Sequence, residues 1–89
     1  MDKSRRRLCV LISGNGSNLQ AMIDSITSGQ LDAEIVAVIS NRPDAYGLTR
    51  AQNADIEAVC LDHKTYSSRE QYDNELLKLI DSYQPDGVV

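Results

Sequence analysis

Six residues, Ser13-Gly14-Asn15-Gly16-Ser17-Asn18, have the composition of an anion cradle. They join an apolar run, residues 8–12, to a segment whose apolar residues Leu19, Met22, Ile23 and Ile26 keep helical spacing. At a strand-to-helix junction the first amides of the helix have no intrahelical acceptor and point outward, while glycines let the backbone approach a ligand. The amides of Gly16, Ser17 and Asn18 are therefore candidates for holding a phosphate, with the Ser17 hydroxyl and the Asn18 side-chain amide as further donors. The same residues fit a plainer role, in which Asn15-Gly16 makes a turn with positive φ and Ser17 caps the helix. Loop chemistry alone leaves both readings open.

The residues do narrow the kind of phosphate. A nucleoside triphosphate loop ends in Gly-Lys-Ser/Thr, whereas Gly16 is followed by Ser17-Asn18. A dinucleotide fold needs a third glycine where this chain has Leu19, and an acid at the end of the second strand where it has Ser40-Asn41. A simple phosphomonoester is what remains. Elsewhere the chemistry is sparse. His63 is the sole histidine, just after the third strand, and no acid or nucleophile is visibly paired with it. Glu75, Asp81 and Asp86 read as solvated helix and turn carboxylates, and no Cys/His spacing suggests a metal site.

The balance of charge excludes other partners. Net charge is −4, with no basic face beyond residues 5–7, which argues against nucleic acid or an anionic membrane surface. Cys9 and Cys60 each fall in an apolar run and read as two buried thiols of a reducing compartment. The basic run before residues 8–12 lacks the length and cleavage site of a secretory signal, so the expected location is cytoplasmic.

The elements that must position the loop alternate between short apolar runs and helical periods, the signature of βαβ units around a parallel sheet. Strands are expected over 8–13, 34–40 and 57–61, with helices over 17–28 and 45–53. Gly29 is the expected stop of the first helix. The third helix starts from a capping box of Ser67 and Glu70, packs through Tyr72, Leu76, Leu79, Ile80 and Tyr83, and ends before Pro85. Asp86-Gly87-Val88-Val89 opens a fourth strand that stops after two apolar residues, so the 89 residues read as one part of a longer chain.

The string Val10-Leu11-Ile12-Ser13-Gly14-Asn15-Gly16-Ser17-Asn18-Leu19-Gln20-Ala21 closely resembles the amino terminus of the phosphoribosylglycinamide formyltransferases, folate-dependent enzymes of purine synthesis. The resemblance continues through residues 39–51, 68–73 and 85–89. It implies an α/β, doubly wound (Rossmann-like) parallel sheet of strand order 3-2-1-4, truncated in strand four, with right-handed crossovers. It also implies that residues 1–89 are the amino-terminal, phosphoribosylglycinamide-binding half of one formyltransferase domain. By the resemblance, Gly16, Ser17 and Asn18 bind the 5′-phosphate of 5-phosphoribosylglycinamide, and Arg69 lies near the cosubstrate 10-formyltetrahydrofolate. The Asn, His and Asp that carry the chemistry in that family belong to the other half, so no catalytic residue is expected here. Two alternatives are a formyltetrahydrofolate deformylase, which shares the fold, and a stand-alone phosphate-binding module.

Overall fold

The computed structural model describes residues 6–89, so Arg5, the first residue of the basic run, lies outside the described residues. The elements are β1 (Arg6–Ile12), α1 (Ser17–Thr27), β2 (Ala33–Ser40), α2 (Tyr46–Asn53), β3 (Ala58–Cys60), α3 (Arg69–Tyr83) and β4 (Gly87–Val88), with one turn of 3-10 helix at His63–Thr65. The strands form a single parallel sheet in the order β3-β2-β1-β4, as expected. The ladder extends past β4, since the Val89 N–H donates to Cys9 O (2.9 Å) and the Leu11 N–H to Val89 O (2.9 Å).

Both faces of the sheet are covered, which is why β1 and β2 read as continuous apolar runs. On one face Val10, Ile35 and Val38 pack with Leu19, Met22, Ile23 and Ile26 of α1 and Ala51 of α2. On the other, Cys9, Ala37 and Ile39 pack with Leu76, Leu79, Ile80 and Tyr83 of α3. Crossovers of constant hand require this arrangement. The chain steps outward from β1 to β3 with α1 and α2 on one face, then returns past β1 to β4 with α3 on the opposite face. The strand order therefore switches direction at β1, and the loop after β1 opens at the carboxyl edge, where ligands of such sheets bind.

Alternation along β2 is broken once. The pairing with β1 shifts between Leu8 and Cys9, whose partners are Ile35 and Ala37. Val36 is the additional residue, and it shares the α3 face with Ala37 instead of alternating with it.

Boundaries differ from the sequence reading by one or two residues: β1 covers 6–12 rather than 8–13, β2 33–40 rather than 34–40, β3 58–60 rather than 57–61, while α1 ends at Thr27 and α2 starts at Tyr46. Gly29, at φ 87°, stops α1 as expected. α3 is capped by Ser68 rather than Ser67: the Ser68 Oγ accepts from the Gln71 N–H (3.2 Å), while the Ser67 hydroxyl donates to the Gln71 side-chain carbonyl (2.8 Å). Ser68→Ala in the complete protein is accordingly expected to cost about 0.5–2 kcal/mol in chemical denaturation. Ser67→Ala, which loses only an exposed side-chain contact, should stay within about 0.5 kcal/mol of wild type; the reverse ranking would return the cap to Ser67. The far end of α3 is closed from a distance by Arg7, whose guanidinium donates to Tyr83 O (2.6 Å) and Gln84 O (3.4 Å). Asp86 is correspondingly not a free turn carboxylate, because it accepts from the Arg7 N–H (2.8 Å). Among the described residues, no helix is long and apolar enough to cross a membrane.

The two cysteines part company. Cys9 is fully buried, and burial pushes its thiol up against a small opposing effect of Arg7. Cys60 is exposed, contrary to the sequence reading, because β3 is a three-residue edge strand whose end the helices leave uncovered. Partial desolvation of its sulfur, then the Asp62 and Asp44 carboxylates, raise the Cys60 pKa. Its thiol is kept protonated at neutral pH, which does not suit a nucleophile.

Candidate functional site

The loop after β1 turns into α1 through Gly16, which takes the left-handed conformation (φ 79°, ψ 26°) and occupies the cap position itself. Ser17 is therefore the first residue of the helix rather than its cap, and no side chain satisfies the helix's amino end. The first intrahelical bond runs from Gln20 N–H to Gly16 O (2.9 Å), which leaves the N–H groups of Ser17, Asn18 and Leu19 without helical acceptors. Ser17 and Asn18 are exposed, and their side chains have no hydrogen-bond partner among the described residues. Donors of two kinds, backbone and side-chain, are thus left unpaired at the positive end of the α1 dipole.

A second group of residues, silent in the sequence, braces this loop from α2. The Arg50 guanidinium donates to Asn15 O (Nε, 2.9 Å), Asn15 Oδ1 (Nη2, 2.8 Å) and Gln20 Oε1 (Nη1, 3.2 Å). The Tyr46 ring stacks on it, with 4.9 Å between the guanidinium carbon and the ring centre. The Gly47 N–H donates to Gly14 O (3.1 Å), and a Cβ built on Gly16 would stand 2.6 Å from Gly47 Cα. At Gly16 the missing side chain thus makes room for a neighbouring backbone, which differs from the close approach to a ligand expected of it.

Where a dinucleotide fold would place its acid, Ser40 is fully buried, and its hydroxyl is tied to Arg42 as donor to the carbonyl (2.7 Å) and acceptor from the N–H (3.0 Å). Arg42 in turn forks onto Asp44 (3.2 Å to each oxygen), which holds that carboxyl below its ordinary range.

Arg69 stands at the first turn of α3, on the other side of the loop from α2. It lines a cavity of about 450 Å³ together with Asn41, His63, Tyr66 and Tyr72, and also a shallower groove that runs across Ile12 and Ser13. The groove joins Arg69 to the edge of the loop carrying Gly16, Ser17 and Asn18, so the sheet's carboxyl edge gathers both sets of residues singled out in the sequence. Its guanidinium has no ion pair or hydrogen bond among the described residues. Asn41, which the sequence did not single out, contributes a buried side-chain oxygen with no partner. An unsatisfied buried acceptor is costly, and beside a free guanidinium it suits a ligand that brings both a donor and an anionic group. Burial raises the hydroxyl of Tyr72 above its ordinary pKa, with Cys60 and Asp73 adding to it, so it too is a neutral donor at pH 7. His63 shares the cavity but is exposed, and its hydrogen bonds among the described residues are through the backbone. No group of three or more His, Cys, Asp or Glu is placed to hold a metal ion among the described residues.

The doubly wound sheet thus carries an open loop after its first strand and, at the same carboxyl edge, a second cleft with an unpaired guanidinium. This chain belongs to the formyl transferase family, whose characteristic domain matches residues 6–89. It is 50% identical over 82 residues to the phosphoribosylglycinamide formyltransferase of Escherichia coli (strain K12), covering 92% of this chain and 39% of that protein. The structure of the Coxiella burnetii phosphoribosylglycinamide formyltransferase superposes with a TM-score of 0.92 at 50% identity, covering 96% of this chain and 40% of that one. A formyltetrahydrofolate deformylase from Pseudomonas putida KT2440 has the same fold (TM-score 0.85, covering 99% of this chain and 31% of that one), but at 20% identity the likeness extends to the fold alone. The chain spans about two fifths of the length of the formyltransferases it matches.

Proposed function

We propose that these residues are the amino-terminal, phosphoribosylglycinamide-binding half of a phosphoribosylglycinamide formyltransferase, which moves a formyl group from 10-formyltetrahydrofolate to the amine of 5-phosphoribosylglycinamide. The observation that carries the reading is the set of unpartnered donors at residues 16–18, at the carboxyl edge of the central strand. A phosphomonoester there meets backbone N–H groups, the Ser17 hydroxyl and the Asn18 amide. The helix dipole adds roughly 0.3–1 kcal/mol at an exposed site.

In the reaction the glycinamide amine attacks the formyl carbon, the bond from that carbon to the folate nitrogen breaks, and the proton lost by the amine ends on the departing folate nitrogen. Tethering the phosphate fixes one end of the acceptor, so that its amine meets the donor as a neighbour rather than as a diffusing partner. The donor's own contribution is the activated formyl group. Arg69, with its free guanidinium, supplies a counter-charge for an anionic part of the folate, and Asn41 an acceptor beside it.

The two binding roles separate experimentally. In the complete enzyme Arg69→Ala is expected to raise KM for 10-formyltetrahydrofolate about tenfold, as loss of one charge-assisted contact of about 1.4 kcal/mol implies, while leaving KM for phosphoribosylglycinamide nearly unchanged. The exposed position of Arg69 predicts little change in the unfolding midpoint. Equal losses for both substrates would remove Arg69 from the folate side.

A further inference from the structure

We infer that Arg50 is a positioning residue: from α2 it turns the peptide planes of the phosphate loop so that their N–H groups face the substrate's phosphate. The inference rests on the phosphate-site reading above and concerns a residue whose guanidinium is already engaged by Asn15 and Gln20.

In a trans peptide the C=O and the following N–H point in opposite directions. No peptide bond among the described residues is cis. The Asn15 carbonyl is drawn toward α2 by Arg50 Nε, so the Gly16 N–H on the same plane points away from α2. One peptide earlier, the Gly14 carbonyl is drawn the same way by the Gly47 N–H, so the Asn15 N–H also points away from α2. Neither of these N–H groups has an acceptor among the described residues. Two successive donors are thereby presented on the side left open, next to those at the start of α1. α2 makes this happen by occupying the carbonyls.

Arg50 suits the task through shape as well as charge. Its Nε and Nη2 grip the Asn15 backbone and side chain together, Nη1 reaches Gln20 in the first turn of α1, and the guanidinium carbon lies over the Tyr46 ring. A lysine would keep the charge and lose the fork and the stacking surface. Without the grip, the Asn15-Gly16 plane is free to rotate, and the donors must be ordered by the ligand at the expense of affinity.

The test uses the complete protein and two probes. Inorganic phosphate is titrated while the amide resonances of residues 15–18 are followed, and KM is measured separately for phosphoribosylglycinamide and for 10-formyltetrahydrofolate. Wild type should show saturable shifts at these amides; their absence would overturn the phosphate site itself and with it the role of Arg50. Arg50→Lys and Arg50→Met should both weaken phosphate at least tenfold and raise KM for phosphoribosylglycinamide to match, with KM for the folate within twofold of wild type. Wild-type phosphate affinity in either variant overturns the inference, and recovery in Arg50→Lys alone would mean that charge, and not orientation, is what Arg50 supplies. Should both variants fold poorly, Tyr46→Leu decides. Tyr46 is 54% exposed, so its loss spares the fold and should weaken phosphate two- to threefold in the same selective way; no change would overturn the positioning role.

Discussion

Formylation of phosphoribosylglycinamide by the isolated 89-residue chain is expected to be undetectable. General acid–base groups contribute about 10²–10⁴ in rate, and preorganised donors at the developing oxyanion contribute a further large factor. Among the described residues no titratable pair is built for either task. His63 is exposed and bound through its backbone, the Cys60 thiol is held protonated, and the donors at residues 16–18 are the ones proposed to hold the phosphate. The fold adds a second obstacle. β4 is a sheet edge, and its Val88 and the following Val89 are 47% and 59% exposed, a surface that favours association with other copies. Turnover by a preparation whose intact mass is that of the 89 residues, with no longer species present, would move the catalytic groups into this chain.

Replacing Gly16 should be nearly as damaging, by a route that starts in the fold. A non-glycine residue at φ 79° carries a penalty of about 1–2 kcal/mol. The new Cβ would also stand 2.6 Å from Gly47 Cα, a backbone atom that yields only if α2 shifts. Such overpacking costs about 1–3 kcal/mol more. Gly16→Ala in the complete protein should therefore lose about 2–5 kcal/mol, and Gly16→Val at least as much with no measurable phosphate binding. Gly29 is the internal control: it has a similar φ of 87° but open space around its would-be Cβ, so Gly29→Ala should lose only the backbone penalty of about 1–2 kcal/mol. Equal denaturation midpoints for Gly16→Ala and Gly29→Ala would show that the contact with α2 is not tight.

What the sequence made legible was local. The apolar runs at β1 and β2, the stripe Leu19, Met22, Ile23 and Ile26, and the stop at Gly29 each depend on neighbours within a turn or two, and all appear in the structure where their pattern put them. The cap of α3 was ambiguous for a local reason. Ser67 with Glu70 and Ser68 with Gln71 both satisfy the capping pattern, and only the extended backbone of Ser68 (φ −143°, ψ 156°) with its bond to the Gln71 N–H separates them. Cys60 was misjudged because an apolar triplet looks alike in a central and an edge strand, and only the sheet order distinguishes them. The contributions of Arg7 and Arg50 were out of reach altogether. Arg7 closes a helix 76 residues downstream and Arg50 grips an asparagine 35 residues upstream, and neither separation leaves a periodic trace.

The contact between Gly16 and Gly47 also bears on whether the loop can be treated as a cassette. The string from Ser13 to Asn18 looks self-contained, yet its shape is imposed by Gly47-Leu48-Thr49-Arg50, which lies across an entire strand from it. A Cβ on Gly47 would meet the tip of the Ile12 side chain, which would have to turn aside, and would crowd the Gly16 Cα at 3.2 Å. The transferable unit is therefore a discontinuous pair of segments from two helices, and grafting the first onto another strand–helix junction would carry over the letters while leaving behind the mould that shapes them.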